Sequence, residues 1–341
     1  MMSRELNVAI VGVTGAVGET ILTVLKERAF PIKTLYPLAS SRSVGKTVTF
    51  KNKDIDVLDL AEFDFSNVDI ALFSAGGSVS EKYVPKAVAA GCIVIDNTSC
   101  FRYEDDIPLI IPEVNAHRIG DYKKRSIIAN PNCSTIQMVV ALKPIYDAVG
   151  ISRVNVATYQ SVSGTGKKAI SELVAQVGDL LNGIPAKSTV YPQQIAFNAL
   201  PHIDKFEENG YTREEMKMVW ETQKILEDKT IMVNPTAVRV PVLYGHSEAV
   251  HLEMKKPMTA EQARALLSKA PGIKVIDNTA KSSYPTAISH AVGHDEVFVG
   301  RIRQDISHPC GLNLWIVADN VRKGAATNAV QIAEILQREY L

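Results

Sequence analysis

The chain has 341 residues, too many for one ordinary domain and enough for two, each able to bury a core. Lys and Arg total 37, as do Asp and Glu, so no charge excess points to nucleic acid or to an anionic membrane surface. The start MMSREL runs into a strand without an apolar signal core, no later apolar run approaches ~20 residues, and the expected location is the cytoplasm.

In chain order, NVAIVGV, ETILTVLKERA, IKTLYPLAS, VDIALFSA, EKYVPKAVAAG and CIVIDNTS alternate β-branched runs with segments of helical period. This βαβ rhythm predicts a doubly wound, Rossmann-type parallel sheet covered on both faces. Near Asn130 the rhythm changes to longer alternating runs, VNVATYQSVSG, TAVRVPVLYG, EAVHLEMKKP and EVFVGRIRQ. They predict an α+β domain with a mostly antiparallel sheet. Between them, KFEENGYTREEMKMVWETQKILEDK reads as a turn followed by an exposed helix, and VRKGAATNAVQIAEILQREYL as a final helix that packs back on the first domain. The expected division is residues 1–131, completed by a C-terminal helix at 320–341, and residues 132–319.

Between the first strand and first helix lie Gly12, Thr14, Gly15, Ala16, Val17 and Gly18, a GxxGxxG spacing. Small residues there let the backbone approach a pyrophosphate and let a helix N-terminus bind it. After IKTLYPLA, where an acidic residue would hold the ribose of NAD, the chain has Ser40, Ser41, Arg42 and Ser43. A guanidinium flanked by hydroxyls suits a 2′-phosphate, so the expected cofactor is NADP(H). Ser74 to Ser78 end another parallel strand and are a second candidate lining.

The run from Asn130 to Thr135 sets Cys133 on the first turn of an apolar helix, where amide N–H groups and the helix dipole favour a thiolate. A thiolate facing a nicotinamide suggests aldehyde/acyl oxidoreduction through an acyl-thioester. Of seven histidines, His246 stands out because it follows TAVRVPVLYG, seven residues after Arg239. Odd separations put strand side chains on opposite faces, so the two share a site only if the turn near Tyr244 and Gly245 redirects the chain. Cys92, Cys100 and Cys310 form no Cys-x-x-Cys pair with each other or with Cys133, and no metal site is expected.

The ordered set GVTGAVG, SSRS, NTSCFR, NPNCST, YQSVSGTGK and RVPVLYGH resembles the aspartate-β-semialdehyde dehydrogenase family from end to end. The resemblance implies NADPH-dependent, reversible reductive dephosphorylation of L-4-aspartyl phosphate to L-aspartate 4-semialdehyde and phosphate, on the route to lysine, threonine, methionine and isoleucine. It implies a homodimer in which 1–131 binds NADP and 132–319 is catalytic and dimerising. By motif, Cys133 resembles the nucleophile and His246 the general acid/base, a task suited to a near-neutral pKa. Gln160 resembles the residue that orients substrate, and Arg239 the clamp on its α-carboxylate; Glu214 is placed to orient Lys217 or the substrate amine. Arg102 resembles the phosphate-binding arginine, with Lys217 as second cation and Asn132 completing the pocket. Ser163, Gly164 and Asn320 resemble contacts to the nicotinamide half of the cofactor. Two competing readings are an N-acetyl-γ-glutamyl-phosphate reductase and a non-catalytic NADP-binding redox sensor, against which the full Cys, Gln, Arg and His set argues.

Overall fold

The computed structural model describes residues 4–341, and the first three residues of the MMSREL start lie outside the described residues. Two compact units divide the chain: one takes it up to Asn132 and again from Ala325 to Leu341, the other is Cys133–Gly324.

The first unit begins with β1 (Leu6–Val11), α1 (Ala16–Glu27) and β2 (Ile32–Ala39), followed by the antiparallel pair β3 (Thr47–Phe50) and β4 (Lys53–Asp56). Next come β5 (Leu58–Asp59), β6 (Ile70–Phe73), α2 (Gly77–Ala89), β7 (Ile93–Asp96), α3 (Pro112–Asn115) and β8 (Ile127–Ala129). The sheet order is β5-β2-β1-β6-β7-β8, with every pairing parallel. Strands β6, β7 and β8 are buried at every position, which is why IALF, IVID and IIA read as unbroken apolar runs instead of alternating ones. The order reverses between β2 and β6, on either side of β1, and the glycine loop leaves β1 at that switch point.

The C-terminal helix Thr327–Glu339 belongs to the same core through Ala329, Val330, Ile332, Ala333 and Leu336. It starts later than position 320 because the Asp319 carboxylate accepts from the Val321 and Arg322 amides, and a π-helical turn, Arg322–Ala326, precedes it. Asn328 Nδ2 then donates to Asn130 Oδ1 at 2.7 Å and to the Ile110 carbonyl at 2.9 Å.

The second unit contains α4 (Cys133–Val149), β9 (Ile151–Gln160), α5 (Lys167–Leu181), α6 (Arg213–Ile225), β10 (Met232–Arg239), β11 (His246–Met254), α7 (Ala260–Leu267), β12 (Ile273–Val275), β13 (Val297–Gln304) and β14 (Gly311–Ala318). Its sheet runs β10-β9-β11-β14-β13-β12: the three inner pairings are antiparallel, the two outer ones parallel. Alternating burial along β9 and β11 gives this sheet one covered face. Helix α4 is buried without interruption from Ser134 to Leu142 and packs across β11, β13 and β14, so it is a core element and not an amphipathic cover.

Helix α6 is not the exposed helix expected from its charges. A capping box joins Thr212 and Glu215, Glu215 also accepts from the Ala237 amide of β10 at 2.9 Å, and Met218 and Ile225 are buried. Buried carboxylates are tolerated here because main-chain N–H groups satisfy them.

Gly18, in the first turn of α1, lies so close to the loop that a Cβ there would stand 2.3 Å from the Gly12 carbonyl oxygen. Gly18→Val is therefore expected to lower stability by at least ~2 kcal/mol, read as a fall in the thermal midpoint, and to weaken dinucleotide binding with it.

Candidate active site

In the first unit, α1 starts at Ala16 without a side-chain cap, leaving its terminal amides to an anion; Gly15 is the cap residue. Thr14 Oγ1 lies 3.5 Å from Ser43 Oγ, joining the loop after β1 to the one after the neighbouring β2. There Ser41–Ser43 form a single 3₁₀ turn with Ser40, Ser41 and Arg42 exposed. A cradle of small residues, an uncapped helix start and an exposed guanidinium beside hydroxyls fit a phosphorylated dinucleotide.

Arg102 is buried in the loop after β7, where its Nη2 donates to the Asn97 carbonyl at 2.8 Å. Asp96 shapes that loop by accepting from the Thr98 amide and hydroxyl and from Ser80 of α2. Asn132 is buried as the last residue before Cys133.

The second unit holds Cys133, Gln160, Glu214, Lys217, Arg239 and His246. Cys133 opens α4 and is half-buried. Gly324 backs it so closely that a Cβ there would lie 2.8 Å from the Cys133 Cβ. Gln160 ends β9, with Nε2 donating to Glu214 Oε1 at 3.0 Å and Oε1 accepting from Thr158 Oγ1 at 3.0 Å, so both ends of its amide are fixed. Arg239 is its register partner on β10, buried, with Nη1 donating to the Ser161 carbonyl at 2.7 Å and Nε left without a hydrogen-bond partner.

His246 opens β11 on the other side of β9, and its ring is wholly buried. The parity problem between Arg239 and His246 disappears because they belong to different strands: β10 stops at Arg239, ahead of Pro241, and the two strands flank the end of β9. A side chain at Gly164 would come within 3.2 Å of Arg239 Nη1 and 3.5 Å of His246 Nε2. The Ser161 amide donates to His246 Nδ1 at 3.1 Å, which leaves the proton of the neutral ring on Nε2, the nitrogen 3.5 Å from Gln160 Nε2. Burial first, then the Arg239 guanidinium, push the ring's pKa down to about 3, against the opposing pull of Glu214. Burial and the Arg239 guanidinium therefore favour a neutral ring with its proton on Nε2, where the sequence suggested a near-neutral base.

Lys217 Nζ lies 2.8 Å from Asp204 and 3.0 Å from Glu214. Burial works against its charge, but the two carboxylates outweigh burial and raise its pKa. Glu214 thus holds Gln160 with one oxygen and Lys217 with the other. Asn320 accepts from the Gly245 amide at 2.9 Å and donates to Ser163 Oγ at 3.0 Å, fixing the turn that precedes His246.

Sequence reasoning missed Ser161, whose role is carried by main-chain groups, and Asp204, a long-range partner of Lys217. It also passed over Gln137 and Glu248. A signal was available for Glu248, a carboxylate on the inward parity of a strand. Among the described residues no group of three or more His, Cys, Asp or Glu is placed to hold a metal, and no helix is long and apolar enough to cross a membrane.

The semialdehyde dehydrogenase NAD binding domain matches residues 7–122, and the semialdehyde dehydrogenase dimerisation domain matches residues 142–323. An aspartate-semialdehyde dehydrogenase of Legionella pneumophila is 83% identical, covering 100% of this chain and 98% of its own length. Among solved structures, aspartate semialdehyde dehydrogenase II of Vibrio cholerae complexed with ASA is 61% identical with a TM-score of 0.98, over 99% of this chain and 100% of that one. The Candida albicans aspartate semialdehyde dehydrogenase with NADP is 25% identical with a TM-score of 0.76, over 98% of this chain and 99% of that one. With both domain matches, and with a relative this similar over its whole length, the chain belongs to the semialdehyde dehydrogenase family and, within it, to the aspartate-semialdehyde dehydrogenases.

Proposed function

We propose that the chain catalyses the reversible, NADPH-dependent conversion of L-4-aspartyl phosphate to L-aspartate 4-semialdehyde and phosphate through a thioester on Cys133. This places it in lysine, threonine, methionine and isoleucine biosynthesis. The observation that carries the reading is the convergence of Gln160, Arg239 and His246 at one end of a sheet whose buried helix begins with Cys133. The full-length relatives favour the aspartyl over the N-acetyl-γ-glutamyl substrate. Within the chain, we assign the dinucleotide to the first unit through Gly12, Thr14, Gly15, Ala16, Val17 and Ser40 to Ser43, with Ser163, Gly164 and Asn320 as its nicotinamide-side contacts. The second unit supplies the chemistry and, through its dimerisation domain, a homodimer contact.

Arg239 is a buried cation with an unsatisfied Nε, a position that a substrate carboxylate would complete. The same carboxylate would offset the guanidinium that depresses His246, raising the ring's affinity for a proton as substrate arrives. The Cys133 thiolate, favoured by the α4 N-terminus, forms the C–S bond as the C–O bond to phosphate breaks and phosphate leaves with the electron pair. His246 Nε2–H donates to the carbonyl oxygen, where negative charge develops, while Gln160 holds the acyl group in line. NADPH, when bound, supplies the hydride that the thioester carbon receives. The oxygen then reforms its carbonyl, the C–S bond breaks, and sulfur returns to Cys133 as thiolate. Arg102 and Asn132 are assigned to phosphate. Lys217 enters with its ammonium already between two carboxylates, so we assign it a smaller share of phosphate and the larger task of orienting Glu214.

Mixing the protein with aspartate semialdehyde, NADP and phosphate is expected to form NADPH, with little formed when phosphate is omitted. Cys133→Ser should lower that rate ~10³-fold or more; a rate near wild type would remove the nucleophile assignment. Arg42→Ala should raise the KM for NADPH ~10-fold and leave NADH use unchanged, whereas equal weakening of both would make Arg42 structural. His246 has a folded pKa below its unfolded value of ~6.5. Its contribution to stability is therefore constant above that pH and lost as pH falls from there toward the folded value. His246→Asn should make the thermal midpoint fall less steeply than wild type between pH 6.5 and 4, and lower kcat ~10²-fold or more with a flattened pH profile.

A further inference from the structure

Glu248 stands two residues beyond His246 on β11, so the two side chains share the inward face of the sheet, which packs against α4. Its cross-strand neighbours are Thr158 and Ile316. The carboxyl group is fully buried, and neither of its oxygens has a hydrogen-bond partner. The polar side chain that faces it is Gln137 of α4. Gln137 follows Cys133 by one helical turn, on the same face of the helix, and its Nε2 donates to the His246 carbonyl at 3.5 Å. Gln137 Oε1, like both Glu248 oxygens, is a buried acceptor without a donor.

Three buried acceptors without a donor are costly, and a single proton on Glu248 supplies one. The carboxylic O–H can then donate to Gln137 Oε1. Burial drives the carboxyl toward that same neutral form, well above the usual carboxylate range, and outweighs the Gln137 side chain, which favours the charged form.

We infer that Glu248, as a neutral carboxylic acid, and Gln137 form a positioning pair that ties the helix of the nucleophile to the strand of the acid/base. The chain of contact runs from Glu248 through the Gln137 amide to the His246 main chain, with Cys133 one turn up the same helix. Neither residue touches substrate; they set the spacing between the two groups that do. The inference rests on the roles proposed above for Cys133 and His246.

Three variants test it. Glu248→Leu removes the link while filling the space with apolar atoms. It should keep the thermal midpoint at or above wild type and the KM for NADP within about twofold, yet lower kcat ~30-fold. Glu248→Gln supplies a neutral N–H donor of the same shape and should restore kcat to within about threefold of wild type. Gln137→Met should reproduce the kcat loss. Wild-type kcat in Glu248→Leu, or Glu248→Gln as impaired as Glu248→Leu, would overturn the pair. One readout does not depend on activity: the infrared difference spectrum of wild type minus Glu248→Gln at pH 8 should contain the carbonyl stretch of a protonated carboxylic acid, and its absence would also overturn the pair. If wild type lacks phosphate-dependent oxidation of the semialdehyde but shows this band, the functional reading fails while the neutral link stands.

Discussion

The main chain of one residue, Ser161, holds the proposed catalytic end of the second unit together. Its amide donates to His246 Nδ1 and its carbonyl accepts from Arg239 Nη1, so the two peptide planes that meet at the Ser161 Cα fix the ring and the guanidinium together. Being main chain, it cannot be altered by substitution at that position, and it leaves β9 at the point where β10 and β11 both terminate toward it. The Ser161 amide and the Ser161 hydroxyl, each 3.1 Å from Nδ1, together set the direction in which the ring can donate a proton.

Around Ser161 the charges are arranged in opposition. Arg239 suppresses the positive form of His246, Glu214 favours it, and Lys217 offsets the charge of Glu214 while being shared with Asp204. An anion docking on Arg239 changes the balance more than any motion of the ring would, because in a buried setting electrostatic effects act at close range with little screening. In the proposed mechanism, Coulomb interaction links substrate binding to the readiness of the acid.

Much of this was legible in the sequence where local pattern and structure coincide. The fully buried strands β6 to β8 announce themselves as apolar runs, the β9 and β11 alternation separates covered from open face, and Cys133 was placed at a helix start by the proline and the apolar run that follow one another. What escaped depends on contacts distant in the chain. The charges of α6 looked solvated because nothing near them in sequence reveals that the Ala237 amide would satisfy Glu215. Strand parity between Arg239 and His246 left the matter to the turn near Tyr244 and Gly245, and the chain does turn there, since β10 ends at Arg239 and β11 begins at His246. The protonation habit of His246 was unreadable in principle, since it is set by burial and by a guanidinium from another strand.

Helix α4, buried on all sides behind Cys133, places the reacting sulfur on the element that a protein gives up last. Many enzymes carry their nucleophile on a loop that loosens well before the body of the fold does, and they lose activity at temperatures where they still look native. Here no such interval is built in. Exchange of the amides in the buried part of α4 requires opening the same core that sustains the second unit, so the seat of the proposed nucleophile is expected to be lost only as that unit melts.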